Sequence, residues 1–148
     1  MKSVLCLLLV VITNAVPQGD WHEPFPPFRL ADRLYYVGSR GLASYLVTTS
    51  KGHILINSSF ERTVPMILAN VEKLGFKTSD VKIILSSHAH GDHVEGHALL
   101  QEKTGAKVYV MAGDDKVIAA GGKGQYKYTD TWRPCKVDKV LKDGEVVT

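Results

Sequence analysis

The stretch "ILSSHAHGDHVEGHALL", residues 84–100, decides how this chain folds and points to its chemistry. An apolar run ends at its start, and three of the six histidines of the chain then follow around one aspartate, between His88 and His93. The apolar run, Val81–Leu85, predicts a strand that is buried on both faces. Because α/β sheets usually carry their sites just beyond the ends of such strands, we expect a functional site here.

The segments before this stretch predict a small antiparallel meander. Three runs are rich in the aromatic and β-branched residues that favour strands. They are "RLYYVG" (33–38), "ASYLVTT" (43–49) and "HILIN" (53–57). The turn signal "SKG" (50–52) separates the last two runs, as expected for a hairpin.

The spacing of apolar residues becomes helical in "ERTVPMILANVEKLGF", residues 61–76. Pro65 fits the first turn of this helix, and Gly75 fits the position just past its end. Strands that alternate with helices indicate an α/β layered domain. The later segments predict a helix (97–106), a strand (107–111), a short helix (114–122), a loop (122–134) and a strand, turn and second strand (136–148).

The first fifteen residues, "MKSVLCLLLVVITNA", have the pattern of a secretory signal peptide. Lys2 precedes an apolar run from Val4 to Ile12 that is too short to span a bilayer. We therefore expect residues 1–15 to be removed and the protein to be periplasmic or secreted, the alternative being a buried strand or helix. Residues 16–27 are rich in proline and predict an irregular lead into the domain.

The composition excludes several classes of protein. The chain has 148 residues, of which 45% are hydrophobic and 22% charged, and this balance is typical of a globular domain. The formal net charge is +3 and the basic residues are scattered, so no nucleic-acid partner is expected. Removal of the signal peptide would take Cys6 away and leave Cys135 alone, which excludes an internal disulfide framework.

The pattern His-x-His-x-Asp-His, here called the motif, predicts a metal site. His88 and His90 are two residues apart, so an extended backbone points both side chains to the same side. Gly91 is expected to let the chain curl after His90, which would aim Asp92 and His93 at a neighbouring point. Imidazole and carboxylate groups are ligands for zinc and similar ions. The alternative is a polar loop that binds nothing, and the density of ligands argues against it.

The remaining histidines and Cys135 do not extend this cluster. His97 falls in a helical pattern and is interpreted as a packing or surface residue. His53 begins a strand and His22 lies in the lead, so both are interpreted as structural. A catalytic zinc takes about three protein ligands, so the motif, with four, supplies more than one ion needs and fewer than the six or so that two ions would need.

The motif after a buried strand resembles the hallmark of the metallo-β-lactamase superfamily. The flanking sequence is similar to class B metallo-β-lactamases of the third subclass, and the similarity covers nearly all of the chain after the signal peptide. It implies an αββα sandwich, two β-sheets between helices, of which residues 28–148 look like the amino-terminal half. The supporting stretches are "PFRLADRLYYVGSRGLASYLVTTSKGHILINSSFERTVPMI", "ANVEKLGF", "DVKIILSSHAHGDHVEGHALLQEKTGAKVYVM" and "KVDKVLKDGEVV".

The resemblance also implies a two-zinc hydrolase. His88 and His90 would bind the first zinc, and Asp92 and His93 would help to bind the second. The implied reaction is hydrolysis of the β-lactam ring amide, hence antibiotic resistance, by a metal-bound hydroxide without a covalent intermediate. Asp92 would be the catalytic residue that orients this nucleophile. The implied partner is a small-molecule β-lactam, with neither nucleic acid nor membrane. Asn57 stands where many relatives carry an aspartate that steadies the motif.

The chain stops in a predicted strand that has barely begun after Gly144, which favours a truncated domain whose other zinc ligands lie elsewhere. The activity of this chain alone is therefore open. Two alternatives stay beside β-lactam hydrolysis. One is another hydrolase of the same fold, a glyoxalase-II-like thioesterase or a lactonase. The other is a non-catalytic, truncated remnant that binds zinc or nothing.

Overall fold

The structure is a computed structural model that describes residues 21–125 and 128–147. One mixed sheet of seven strands forms its centre, and the strands lie side by side in chain order. The strands are β1 (Phe28–Ala31), β2 (Leu34–Tyr36), β3 (Tyr45–Val47), β4 (His53–Ile56), β5 (Val81–Leu85), β6 (Lys107–Met111) and β7 (Lys139–Leu141). The helices are α1 (Val64–Lys73), α2 (Gly91–Val94), α3 (His97–Thr104) and α4 (Asp115–Ala119).

The amino-terminal prediction falls outside this part of the chain. The predicted signal peptide, residues 1–15, lies outside the described residues, as does the beginning of the lead. Among the helices that the structure describes, none combines the length and the apolar character that crossing a membrane requires.

Strands β2 to β4 form the antiparallel meander that the sequence predicted, and β1 adds a further antiparallel strand beside β2. Tyr36 lies opposite Tyr45 across the β2–β3 pair, and Leu46 lies opposite Leu55 across the β3–β4 pair. The two leucines are fully buried whereas the two tyrosines are half-buried, because neighbouring residues of a strand point to opposite faces of the sheet. Strand β1 precedes the first strand that the sequence predicted, and its residues are exposed.

From β4 onward the strands are parallel, and a helix connects each strand to the next. Right-handed crossovers that step across a sheet in one direction place their helices on the same face. On that face Ile67 and Val71 of α1 and Leu100 of α3 enter the main apolar core. The predicted α/β class is confirmed, and a single sheet with helices on one face corresponds to one half of an αββα sandwich.

The ends of α1 are those that the sequence predicted. Pro65 lies in its first turn, where the missing amide N–H removes no helical hydrogen bond. Gly75 follows the helix with φ +87°, a conformation that most other residues avoid. Its amide N–H donates to the Glu72 carbonyl at 2.9 Å, and Phe76 donates back to Val71 at 3.2 Å. The chain thereby reverses and brings the Phe76 ring against the core.

Two local predictions differ from the structure. The chain turns after His90, but Gly91 does not adopt a backbone conformation that other residues avoid. Gly91 has no positive φ and begins the single helical turn α2. The strand predicted after Gly144 is not formed in residues 145–147. A strand needs a hydrogen-bonded neighbour, and within the described residues β7 pairs only with β6.

Candidate metal centre

Two polar segments meet where parallel strands end. Residues 57–59 follow β4 and residues 86–90 follow β5, so both lie at the same edge of the sheet. The amide N–H of Asn57 donates to the Leu85 carbonyl at 2.9 Å, which extends the β4–β5 pairing by one residue. The predicted site is therefore built on the rigid carboxyl ends of two neighbouring strands.

Three of the four predicted ligands converge on one point. One ligand atom each of His88, Asp92 and His93 lies within 4.8 Å of the other two. Asp92 Oδ2 is 3.4 Å from His93 Nε2. Zinc binds imidazole nitrogen and carboxylate oxygen at about 2.0–2.2 Å, so small side-chain rotations would bring these three atoms around one ion. The donor set and its geometry fit zinc.

His90 lies beside this group. Its ring meets the ring of His88 edge-on, with 4.5 Å between centroids, and its other neighbour is the ring of Tyr128, also at 4.5 Å. The rings of His88 and His93 are 4.1 Å apart. The structure thus brings all four predicted residues together. The assignment of His88 and His90 to one ion and of Asp92 and His93 to another stays a prediction.

Ser87 is a member of the site that the sequence reasoning missed. Its Oγ lies 3.1 Å from Nδ1 of His88 and 3.2 Å from Nδ1 of His93. Asn57 Oδ1 contacts both the amide N–H of Ser87, at 2.9 Å, and its Oγ, at 3.2 Å. The only sequence signal for Ser87 is its place directly before the motif, and a serine at a strand end is too common to be read as functional.

The turn after β4 holds the motif by its backbone. The amide N–H of Ser58 donates to the His93 carbonyl at 2.9 Å, and that of Gly96 donates to the Ser59 carbonyl at 2.9 Å. Asn57 and Ser59 have φ of +63° and +54°, which is unusual for residues other than glycine. Such backbone strain persists only where surrounding contacts enforce it, and it is concentrated at functional sites.

The protonation state of His93 suits metal binding. Burial lowers the pKa of His93 below its ordinary value of 6.5, and the nearby His88 and His90 act in the same direction, whereas Asp92 opposes them. A metal ion binds the neutral imidazole through a nitrogen lone pair. His93 therefore offers a free lone pair at neutral pH.

An open groove with a volume of about 530 Å³ runs past His90 and Asp92. The rings of Trp21 and Phe60 are stacked in its wall, with centroids 6.1 Å apart. A groove of this size, with aromatic walls and a few polar groups, suits a small molecule. The lining residues are Trp21, Phe60, His90, Gly91, Asp92, Glu95, Gln125, Tyr128, Asp130 and Thr131.

His97 and His53 are structural, as the sequence predicted. His97 is fully buried, and its Nδ1 lies 2.7 Å from Ser58 Oγ. Burial lowers the pKa of His97 to about 3, so this imidazole is neutral. His53 begins β4, at the other end of the strand from the site, and packs edge-on against Phe76 with 5.2 Å between centroids.

Cys135 is buried in the core and is not part of the convergent ligand group found among the described residues. Its Sγ is 3.8 Å from Gln101 Oε1. Burial raises the pKa of the Cys135 thiol to about 11, with a further contribution from Asp138. A metal ligand must be the thiolate, so this cysteine is unsuited to that role.

Comparisons with known proteins agree with this geometry. The sequence profile of the metallo-β-lactamase superfamily matches residues 38–148. The solved FEZ-1 metallo-β-lactamase of Legionella gormanii is 53% identical, with a TM-score of 0.83 over 85% of this chain and 50% of that one. The class B3 di-zinc metallo-β-lactamase LRA-12 from an Alaskan soil metagenome is 38% identical, with a TM-score of 0.86 over 90% of this chain and 52% of that one.

A curated relative, a metal-dependent hydrolase of Pyrococcus furiosus, is 37% identical over 73 residues, which are 49% of this chain and 32% of that protein. The chain therefore spans about half the length of the solved structures and about a third of this relative. The predicted similarity to class B enzymes of the third subclass is confirmed. Because the profile matches most of the sequence, the chain belongs to the metallo-β-lactamase superfamily.

Proposed function

We propose that four side chains of this chain bind zinc in an enzyme that hydrolyses β-lactams: His88, His90, Asp92 and His93. The convergence of a His-Asp-His group at the carboxyl end of β5 carries this proposal. The similarity to FEZ-1 and to the di-zinc enzyme LRA-12 supports β-lactams as the substrate class.

The four side chains are proposed to form two pairs of zinc ligands. His88 and His90 would hold the first zinc, and Asp92 and His93 would contribute to the second. When bound, zinc supplies Lewis acidity that makes water nucleophilic near neutral pH and polarises a carbonyl group. Asp92 is the only acid of the motif, so its carboxylate can also accept a hydrogen bond from the attacking water and orient it.

The reaction requires no covalent bond to the protein. Water adds to the carbonyl carbon of the β-lactam, the ring C–N bond breaks, and one proton of the water ends on the nitrogen. The hydroxyl of Ser87, directly before the motif, contacts Asn57 and two motif histidines, and Ser87 is not among the residues that line the groove. Trp21 and Phe60 offer the aromatic surface against which apolar parts of a substrate would pack.

The proposal is tested by measuring whether variants of the motif histidines lose bound zinc and turnover together. In the full-length protein, His88→Ala and His90→Ala should each lower bound zinc and hydrolysis of the chromogenic β-lactam nitrocefin. We expect a loss of more than about 100-fold, because removing even an outer contact of a metal ligand costs about 10–100-fold. Zinc is measured by elemental analysis and turnover by absorbance.

His53→Gln is the matched control, since it removes a histidine at the opposite end of β4. It should leave zinc content and turnover near those of the unmodified protein. Unchanged zinc and turnover in His88→Ala would sink the proposal. Hydrolysis of a thioester or a lactone without hydrolysis of nitrocefin would keep the metal site and replace the substrate class. Zinc binding without any hydrolysis would favour a non-catalytic protein.

A further inference from the structure

We infer that Ser87 is a positioning residue that fixes the tautomers of two motif histidines, so that both present Nε2 to the metal. This inference rests on the zinc site proposed above. In the metal-free protein, the position of the ring proton on His88 and on His93 decides which ring nitrogen has a lone pair available for an ion.

The orientation of Asn57 is settled by its partners. The amide N–H of Ser87 can only donate, so the Asn57 atom that lies 2.9 Å from it must be the carbonyl oxygen and not the amide nitrogen. The same oxygen lies 3.2 Å from Ser87 Oγ. Because a carbonyl oxygen cannot donate, the single hydroxyl proton of Ser87 must point to Asn57 in this contact.

The hydroxyl oxygen then has only lone pairs left for its other neighbours. Those neighbours are Nδ1 of His88 at 3.1 Å and Nδ1 of His93 at 3.2 Å. Both Nδ1 atoms must therefore carry the proton in these hydrogen bonds. A neutral imidazole has one N–H, so both Nε2 atoms keep their lone pairs.

Nε2 of His93 is the atom that faces Asp92 Oδ2, at 3.4 Å, within the convergent group. With the ring proton on Nδ1, the lone pair of Nε2 and the carboxylate oxygen face and repel each other until a cation lies between them. The hydrogen bond to Ser87 therefore holds His93 in the metal-binding tautomer against Asp92, which favours a proton on Nε2. Asn57 is 5% exposed and its backbone is tied to Leu85, so the carbonyl that anchors Ser87 has a fixed position. Metal-binding histidines generally donate their second ring N–H to an oxygen, and one serine oxygen serves two histidines here.

The direct test reads tautomers in the metal-free protein. Two-bond nitrogen-15 correlation spectra distinguish imidazoles protonated at Nδ1 from those protonated at Nε2. With the imidazoles neutral, His88 and His93 should both be protonated at Nδ1. Ser87→Ala should shift at least one of them toward protonation at Nε2. Ser87→Thr, which keeps the hydroxyl, should keep the protonation pattern of the unmodified protein. Ser50→Ala, which removes the hydroxyl of an exposed serine, serves as control.

Metal affinity gives a second readout, measured by competition of the protein with a chromophoric chelator for zinc. Ser87→Ala should bind zinc about 10–100-fold more weakly, the usual effect of losing a contact that orients a ligand. Ser87→Thr and Ser50→Ala should stay near the original affinity. An unchanged affinity in Ser87→Ala contradicts the inference.

The unmodified protein alone can overturn the inference, even where a variant fails to fold. Protonation at Nε2 of either His88 or His93 in its metal-free spectrum would do so. Unchanged tautomers in Ser87→Ala would do so as well. A tautomer shift together with no hydrolysis of nitrocefin would uphold the role of Ser87 and reject the proposed substrate, so the two failures are distinguishable.

Discussion

His97, the first residue of α3, is fully buried against the turn after β4, with Nδ1 at 2.7 Å from Ser58 Oγ. Burial disfavours the charged imidazole and lowers the pKa of His97 to about 3 from an ordinary 6.5. Between these two values the unfolded chain binds a proton that the folded protein does not. The free energy of unfolding therefore falls as the pH decreases through this range.

The prediction at this residue is a pH-dependent stability. From about pH 7 to about pH 5, His97 should lower the free energy of unfolding by about 2 kcal/mol. Urea titrations at both pH values measure the difference. His97→Asn, which can still reach Ser58, should be less stable at neutral pH but should lose about 2 kcal/mol less on acidification. If both proteins lost the same free energy of unfolding on acidification, burial would not lower the pKa of His97.

Single residues also show how far the sequence could predict the site. The motif was recognisable because three histidines and an acid within six positions are unusual. Ser87 was not, because its role depends on Asn57, thirty residues earlier in the chain, reaching it across the β4–β5 pair. Contacts of this kind arise from strand pairing and have no local spacing to reveal them.

At the scale of elements, Glu95 and Gly96 separate helices α2 and α3, and Gly96 packs closely against the turn after β4. A Cβ added to Gly96 would lie 2.6 Å from Val64 Cγ2 and 2.7 Å from the Ser58 carbonyl oxygen. A Cβ added to Gly91 would meet only the ring of Trp132, at an ordinary 3.6 Å. Gly91, the first residue of α2, and Gly96, which follows the helix, therefore meet different steric constraints.

Replacement of each glycine by alanine tests this difference. Gly96→Ala should lower the free energy of unfolding by about 1–3 kcal/mol, because the neighbouring backbone must shift to admit the methyl group. Gly91→Ala should leave it unchanged or raise it by up to about 1 kcal/mol, since alanine is the better helix former. The midpoint of urea unfolding measures both. A large loss in Gly91→Ala would restore the sequence-based view that the chain needs glycine there.

The elements themselves were largely predictable from the sequence. The helix α1 and the strands β4, β5 and β6 were predicted close to their observed bounds, because apolar periodicity and the signals of Pro65 and Gly75 act locally. The strand expected after Gly144 was wrong, because strand formation depends on a neighbour that no local pattern supplies. Strand β1 was missed for the related reason that its residues are exposed and lack an inward-facing pattern.

At the scale of the whole molecule, the motif is attached to the sheet through both β4 and β5. The motif follows β5 directly, and the turn after β4 binds it through the Ser58–His93 and Gly96–Ser59 backbone hydrogen bonds. An ion held by the motif would therefore bind an arrangement that exists only while the ends of β4 and β5 are together, and unfolding destroys that arrangement. Binding of zinc to the native state is thus expected to stabilise the fold as a whole, not only a loop.

Zinc at about 100 times its dissociation constant should raise the free energy of unfolding by about 2.7 kcal/mol. For a domain of this size, that corresponds to a rise in Tm of roughly 5–15 °C, which calorimetry would measure. Chelation should reverse the rise, and magnesium should not reproduce it, because magnesium prefers octahedral oxygen ligands to imidazole. His88→Ala should show little of the zinc effect, since it removes one member of the convergent group. An equal rise in His88→Ala would mean that zinc binds elsewhere on the protein, and no rise in the unmodified protein would mean that the motif segment of this chain does not form a zinc site.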